Sequence, residues 1–274
     1  MSRRLFCEIN PLFYQISLRK EIIRRHLKNR FGSKVFASKK STEKLEHCIY
    51  EHNSYMIKKG KDIDPTLQYN KAINIDLASK GINGVLVYPG ETFSMWKLVG
   101  PVTTRRGFKK GRVIVNDTLV AGTGGGLCNL ANTISVGVLH TPLDIVEEHR
   151  HSDALAPDPG KRTPLSAGTS VSYNTLDFQF ENNTDQVFQF LTWCKDDYSY
   201  LEIRSDKPIP FKYEIEEEDH HFAKEGDKYY RNSKIYRITK DKATNKVLSK
   251  ELYLDNHSIV MFDHALIPKD QIKN

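Results

Sequence analysis

Apolar residues recur at the 3.6-residue spacing of a helix in four stretches of the chain. Ile16, Ile23 and Leu27 fall close to one face of a basic segment. A cap-like Ser41-Thr42-Glu43-Lys44 opens the second stretch. The pattern therefore predicts helices within residues 2–34 and over residues 41–60, 70–82 and 128–140.

Alternation of apolar and polar residues dominates the second half of the chain and predicts β-strands. The clearest example is residues 177–181, where Phe178 and Phe180 should face inward together. Asn116-Asp117 provides the turn of a hairpin over residues 112–121. The remaining predicted strands are residues 84–88, 143–151, 169–173, 187–193, 200–205, 211–216, 228–239, 248–255 and 258–262.

Together these elements predict an α+β fold. N-terminal helices precede a central buried helix that follows a glycine-rich loop, and a mostly antiparallel sheet continues to the C-terminus. The predicted division is a basic N-terminal helical region at residues 1–66, a core domain at residues 67–200 and a C-terminal β-rich extension at residues 201–274.

The most informative segment begins with three consecutive glycines, Gly124, Gly125 and Gly126. Glycines permit backbone angles closed to other residues and allow another chain to approach closely. The helix that follows should end near His140, because a proline disfavours helix at the residue before it. This arrangement predicts that Cys128 lies in the first turn of a buried helix.

A cysteine at that position is a candidate nucleophile. The free N–H groups and dipole of a helix N-terminus shift a thiol toward thiolate and can stabilise an oxyanion. The next predicted strand places Glu147, His149 and His151 on one face, so one histidine could act as base. Glu147 or Asp153 would orient that base. The alternative is structural: Cys128 is a small apolar residue, and the histidines belong to a hydrogen-bonded cluster.

Several motifs in one order resemble the VanW family, named after an accessory protein of vancomycin-resistance gene clusters. They are residues 89–94, 124–128, 139–143 and 145–152, and the similarity covers about residues 76–194. Some exported members are thought to be cysteine-dependent L,D-transpeptidases of peptidoglycan. The chain departs from the family at Asn129, where the family usually has Gln.

The resemblance implies roles for individual residues. His151 becomes the first choice of base, because Ser152 completes a His-Ser pair that is usual in the family. His149 is the second choice. Substrate-binding residues implied by the matching motifs are Glu91, Ser94, Gly124, Gly125, Gly126 and Asn129.

Charge divides the chain unevenly. The net charge is +7, and residues 1–34 alone carry nine Lys or Arg residues and two Glu residues. This segment could bind an anionic membrane surface, or it could be a solvated surface helix. The balanced remainder, and the lack of aromatic residues interleaved with the basic ones, argue against nucleic-acid binding.

Composition indicates an ordinary soluble protein without a cofactor. No stretch is long and apolar enough to span a membrane, and no signal peptide is recognisable, so we expect a cytoplasmic protein, peripheral at the inner membrane face if residues 2–34 bind lipid. The spacing of the four cysteines matches no zinc pattern, and we expect no metal and reduced thiols.

Two functions remain open from the sequence. The first is a cell-wall or glycopeptide-resistance role in which Cys128 and a histidine transfer acyl groups of peptidoglycan stem peptides. The second is a non-enzymatic accessory module that binds peptidyl cell-wall precursors in the same groove.

Overall fold

A computed structural model describes residues 6, 9–57, 64–115, 118–151, 153–154, 157, 163–165 and 168–273. Helices are predicted correctly within residues 2–34, at 70–82 and after the glycine loop. Proline at the first helical positions and a side-chain cap from Asn10 or Asp64 begin the first two of them. The helices are α1 (Pro11–Phe31), α2 (Pro65–Ile82), α3 (Met95–Val99) and α4 (Leu127–Val138).

Strands occupy most of the remaining described chain. The predicted hairpin is confirmed on both arms, although its turn residues lie outside the described ranges. The strands are β1 (Val35–Phe36), β2 (His47–Tyr55), β3 (Val85–Val87), β4 (Glu91–Ser94), β5 (Lys110–Val115), β6 (Thr118–Thr123), β7 (Asp144–Glu147), β8 (Asp153–Ala154), β9 (Gln179–Glu181), β10 (Phe188–Lys195), β11 (Tyr198–Ser205), β12 (Phe211–Glu225), β13 (Lys228–Asp241), β14 (Val247–Val260) and β15 (Ile272–Lys273).

These strands pair into several sheets. One sheet has the order β1-β4-β9-β7, and a second has the order β2-β11-β10-β3. A third, with the order β15-β12-β13-β14-β8, forms the C-terminal part, and β5 pairs with β6. Most of the pairings are antiparallel, which confirms the predicted α+β class.

The main core lies between the second sheet and helices α2 and α4. Ile75, Ile134 and Phe190 are fully buried there, and Phe178 and Phe180 face inward together as predicted. Gly137 of α4 lets the helix approach β11, because a Cβ atom at this position would lie 2.5 Å from Leu201 Cδ2. Burial of such large apolar side chains is the main stabilising contribution.

The predicted helix over residues 41–60 is wrong. Residues 47–55 form β2, which pairs along its length with β11. Ser41 does not cap a helix, because its hydroxyl accepts from Glu43 N–H in a local turn. Ile49 and Tyr50 pack against the main core, so tertiary pairing overrides the helical pattern.

The predicted strand over residues 143–151 is shorter in the structure. Regular strand ends at Glu147, after a register shift between Ile145 and Glu147. The chain nevertheless stays extended, because His149 O accepts from Ser170 N–H and His151 N–H donates to Gly168 O. This short pairing places the two candidate histidines beside residues 168–170.

The pairing of β2 with β11 bears on the predicted division into three regions. β2 belongs to the predicted N-terminal region, yet it pairs with β11, which crosses the predicted boundary at residue 200. The division into three regions stays a prediction.

None of the helices in the described ranges has both the length and the apolar content that a bilayer crossing requires.

Candidate functional site

The glycine loop is packed directly against the β5–β6 hairpin. A Cβ atom on Gly125 would lie 2.3 Å from the carbonyl carbon of Gly111 and 2.6 Å from Arg112 N. Asn74 of α2 is fully buried and also holds the glycine loop to the hairpin segment. Its Nδ2 donates to Gly125 O at 2.9 Å, and its Oδ1 accepts from Lys109 N–H at 2.7 Å. The hairpin and α2 therefore hold the loop in one position.

The other two glycines have left-handed backbone conformations that favour glycine. Gly124 has φ 82°, and Gly126, the N-cap residue of α4, has φ 104°. A Cβ atom on Gly126 would lie 2.1 Å from Lys71 Cγ, and one on Gly124 would lie 2.2 Å from Val102 Cγ1. The loop thus starts α4 at a fixed point and places Cys128 in its first turn, as the sequence predicts.

The Cys128 residue is half-buried. Its Sγ lies 3.7 Å from Val171 O. Burial raises the pKa of Cys128, although main-chain hydrogen bonds at Val171 and at Cys128 itself act in the lowering direction. The predicted shift toward thiolate is therefore wrong for this state, because desolvation of the charge outweighs the helix N-terminus.

Asn129 faces the second sheet rather than the glycine loop. Its Nδ2 lies 3.4 Å from Ser54 Oγ of β2, whereas its Oδ1 is buried without a hydrogen-bond partner among the described residues. The predicted substrate-binding role of Asn129 stays a prediction.

Glu147 is the most heavily hydrogen-bonded of the candidate residues. Its two carboxylate oxygens accept from the Arg25 guanidinium at 2.5 and 2.6 Å. Oε1 also accepts from Asp177 N–H and lies 3.1 Å from His149 Nε2. Burial alone would raise the pKa of Glu147, but hydrogen bonds from Arg25, His149 and the Asp177 main chain hold it below its usual value.

His149 and His151 have different surroundings. Glu147 contacts the His149 ring, as an orienting carboxylate would. The His151 ring is half-buried, and burial lowers its pKa although the charge of Asp153 acts in the opposite direction. A lowered pKa keeps His151 neutral near pH 7, which is the form that accepts a proton. No hydrogen bond joins either ring to Cys128 within the described ranges.

Ser94 and Glu91 are placed by local structure. The Ser94 hydroxyl is fully buried, donates to Asp177 Oδ2 at 2.5 Å and accepts from Lys97 N–H as the cap of α3. Glu91 Oε2 accepts from Tyr88 N–H across the turn that precedes β4. Both residues stabilise their own segments, and their role in substrate binding stays a prediction.

The candidate residues thus fall into two groups. Ser94, Glu147 and His149 are joined through Asp177 in one polar network. Cys128 and the glycine loop form a second group around the start of α4. Residues 170–171 link the two groups. Ser170 N–H donates to His149 O, and the next residue, Val171, contacts the Cys128 thiol through its carbonyl oxygen.

Sequence reasoning missed three residues that organise this region, namely Arg25, Asn74 and Asp177. Asp177 is buried and receives hydrogen bonds from Ser94, Gln179 and Trp96 N–H. Burial raises its pKa, and these hydrogen bonds oppose that effect. Its place at the start of a clean alternating strand was a usable signal. Asn74 and Arg25 offered none, because each lies in an ordinary helical pattern.

One cluster in the described chain has the geometry to hold a metal ion. Cys48, Glu51 and Glu202 place one ligand atom each within 4.8 Å of one another. However, Lys44 Nζ lies 2.6 Å from Glu202, and Arg204 also pairs with this carboxylate. Two cations beside the buried carboxylate already balance its charge, so the cluster does not fit a metal ion.

Fold and site define an α+β protein in which a close-packed glycine loop presents a cysteine at the start of a buried helix. Residues 70–204 match the family described as "VanW like protein". The chain belongs to the VanW family.

Two curated proteins illustrate this relationship. The "Vancomycin B-type resistance protein VanW" of Enterococcus faecalis is 27% identical over 227 residues, which cover 83% of this chain and 82% of that protein. The "Uncharacterized protein YoaR" of Bacillus subtilis is 33% identical over 117 residues, 43% of this chain and 37% of that protein. No solved structure matches the chain significantly.

Proposed function

We propose that this protein acts in vancomycin resistance or peptidoglycan metabolism as a cysteine-dependent acyl transferase. The relative in Enterococcus faecalis, which aligns along most of both chains, carries vancomycin resistance in its name. The observation that supports the chemistry is the position of Cys128, in the first turn of α4 after a loop fixed on both sides. Helix N-termini supply N–H groups that stabilise developing negative charge.

In the proposed reaction, Cys128 Sγ attacks a peptide carbonyl carbon of a peptidoglycan stem peptide. The thiol proton moves to a histidine, the peptide C–N bond breaks, and the histidine returns the proton to the leaving amine. An acceptor amine then attacks the thioester, forms the new peptide bond and releases the thiol. The product is that of an L,D-transpeptidase only if the corresponding peptide bond of the stem is the one placed next to Cys128 Sγ.

His151 remains our first choice of base and His149 the second. His151 is favoured because burial lowers its pKa and so keeps the ring neutral. His149 is favoured by Glu147, which lies 3.1 Å from its Nε2 and could orient the ring. Either ring must come within hydrogen-bond distance of the sulfur in the substrate complex, and the binding of the stem peptide would have to provide that contact.

The direct test is to incubate the protein with a synthetic stem tetrapeptide and measure intact mass. We expect an adduct equal to the donor minus its leaving amine, absent in Cys128→Ala and retained in Cys48→Ala. Cys48 is a matched control because it is exposed and lies outside the glycine-loop region. An adduct that persists in Cys128→Ala, or no adduct with any stem peptide, would remove the acyl-transfer proposal.

A second candidate function is a non-enzymatic module that binds peptidyl precursors. The observation that favours it is the half-buried Cys128 thiol, whose pKa is raised and which has only main-chain hydrogen bonds among the described residues. Asn129 Oδ1 is buried and has no hydrogen-bond partner among the described residues, and a rotation of this side chain on peptide binding would let it accept a peptide N–H group. Saturable stem-peptide binding by calorimetry that is equal in wild type and Cys128→Ala, without an adduct, would support this alternative.

A further inference from the structure

Helix α1 presents an apolar stripe to solvent, and this stripe is not used by the protein's own core. The stripe consists of Leu12, Ile16, Ile23 and Leu27, which are 66%, 46%, 58% and 53% exposed. At 3.6 residues per turn, these four positions lie within about 60° of one another around the helix axis. An ordinary surface helix turns such a stripe toward the core.

The opposite side of α1 is the side that packs on the protein. The Arg25 guanidinium, which lies on that side, donates to Glu147 at 2.5 and 2.6 Å and to Thr175 O at 3.1 Å. Asn174 Nδ2 donates to Ile22 O at 3.2 Å. Arg25 lies on the order of 170° around the helix from the centre of the stripe. The stripe therefore points away from the domain because the docked face fixes the rotation of the helix.

The charges beside the stripe are almost all positive. Glu21 is the acidic residue among those of α1. Five basic residues of α1 are exposed, and some of them directly border the stripe. The five are Arg19, Lys20, Arg24, Lys28 and Arg30. Long basic side chains can extend from an apolar surface toward anionic headgroups. An apolar stripe bordered by cations is complementary to an anionic lipid surface.

We infer that α1 binds an anionic membrane surface with the stripe inserted at the headgroup–acyl boundary. Because Arg25 connects the helix to Glu147, membrane binding through α1 also fixes the orientation of the Glu147–His149 region relative to the bilayer. The inference does not depend on the chemistry of Cys128. It concerns where the protein binds and which side of it faces the lipid.

Co-sedimentation with lipid vesicles tests the inference on the full-length protein. We expect binding to vesicles of equal parts phosphatidylcholine and phosphatidylglycerol, and little binding to pure phosphatidylcholine. The double variant Ile23→Gln, Leu27→Gln should lose at least about tenfold in affinity, because two aliphatic side chains no longer enter the interface. The triple variant Arg19→Gln, Lys20→Gln, Arg24→Gln should bind weakly and lose its sensitivity to salt.

A matched control changes exposed apolar residues elsewhere. Leu248→Gln, Leu252→Gln alters two side chains on β14 that are each 52% exposed and should bind vesicles as wild type does. Cys128→Ala should also bind normally, which separates this inference from the proposed catalysis. Circular dichroism will show that the α1 variants remain folded.

Three results would overturn the inference. The first is no sedimentation with phosphatidylglycerol vesicles, and the second is equal loss of binding in the β14 control. The third is a dimer in light scattering that Ile23→Gln, Leu27→Gln dissociates while lipid binding is absent, because a second copy would then cover the stripe.

Discussion

Gly125 shows how a single residue positions the candidate site. Its backbone lies so close to Gly111 that even one methyl group would overlap with main-chain atoms of the hairpin. The sequence correctly predicted close approach at the glycines, because runs of glycine have few other uses in a folded chain. It did not predict the partner, since the docking of β5–β6 on the loop is a tertiary contact.

We expect Gly125→Ala to lower the free energy of unfolding by roughly 2–3 kcal/mol, as overpacking in a rigid interior does. Gly90→Ala is the control, because Gly90 has φ 79° but a Cβ atom there would meet nothing within 4 Å. The free energy of unfolding of Gly90→Ala should fall by only about 1 kcal/mol, from the backbone strain of alanine at this φ. Urea unfolding measures both. Equal stability of Gly125→Ala and wild type would show that the loop does not pack on the hairpin.

Cys128 shows the limit of local reasoning about charge. Its position at the helix start was predicted correctly, but the direction of its pKa shift was not. The helix N-terminus is visible in the sequence, whereas the burial that outweighs it depends on packing around Val171, more than forty residues later in the chain. Proton transfer to a histidine during attack would avoid a buried free thiolate.

At the scale of elements, the ion pair between Arg25 and Glu147 joins α1 to the core, together with hydrogen bonds from Arg25 to Thr175 O and from Asn174 to Ile22 O. Arg25 and Glu147 are both largely buried, and the hydrogen bonds between them raise the pKa of Arg25 and help lower that of Glu147. Pairing of this kind is strongly directional, because the guanidinium contacts both carboxylate oxygens. No pattern in the sequence indicates this pair, since Arg25 is one of many basic residues in the helix.

Arg25→Gln should lower the free energy of unfolding by roughly 1–3 kcal/mol at neutral pH, because charged hydrogen bonds are lost. The folded-state pKa of Glu147 is below its ordinary value, so its contribution is present above the unfolded-state pKa and is lost as the pH falls through the folded-state pKa. The difference from wild type should therefore shrink below about pH 4.

Urea unfolding across pH measures this dependence. Arg24→Gln is the matched control, because the Arg24 side chain is 79% exposed and its pair with Glu21 spans 3.6 Å. It should change stability little at any pH. A difference for Arg25→Gln that stays constant down to low pH would contradict the role of the Glu147 carboxylate.

Element type was predictable where the local pattern and the tertiary environment agree. Helix α4 has apolar residues at helical spacing and is buried, so pattern and packing give the same answer. Residues 47–55 also resemble a helix locally, but they fill the edge position beside β11. The extended path after Glu147 was predicted, and the early end of β7 was not, because a register shift has no signature in the sequence.

At the scale of the whole molecule, one polar cluster joins the C-terminal sheet to the core. Tyr253 of β14 contacts both Glu148 and Arg150, and its hydroxyl lies 2.6 Å from the arginine. Ser135 of α4 donates to the same glutamate at 2.6 Å. Burial, together with the charge of Glu148, raises the pKa of Tyr253 to about 12, so this hydroxyl stays protonated.

Tyr253→Phe removes the hydroxyl from this cluster and should lower the free energy of unfolding by roughly 1–3 kcal/mol, because Glu148 and Arg150 lose a buried partner. Thermal and urea unfolding measure the change. Tyr69→Phe is the control, since Tyr69 is 56% exposed, and it should have almost no effect. A neutral Tyr253→Phe would mean that this hydroxyl does not hold the C-terminal sheet in place, and that apolar packing and the hydrogen bonds of Arg237 to Leu139 O and Thr141 O do so.

The overall class of the fold was predictable, but its assembly was not. Alternating strands and helical segments are local properties, and they correctly gave an α+β protein. The pairing of β2 with β11 and the link from Tyr253 to Glu148 join residues more than one hundred positions apart. Contacts of this range follow from packing of the whole chain and leave no pattern in a single sequence.

The pH dependence of iodoacetamide labelling, read at each cysteine by mass spectrometry, tests the central proposal that Cys128 is a nucleophile with a histidine base. The variants are His151→Ala and His149→Ala, and the internal controls are exposed Cys48 and half-buried Cys194, whose pKa is raised to about 11. The proposal predicts that, with a non-cleavable stem-peptide analogue bound to bring a histidine to the sulfur, Cys128 labels faster than both controls near neutral pH, whereas without the analogue its raised pKa keeps labelling slow. Its rate should follow the ionisation of the histidine and fall at least about tenfold in one variant. Labelling of Cys128 that stays slower than that of Cys48 with the stem-peptide analogue bound, and that does not change in either variant, would contradict the proposal.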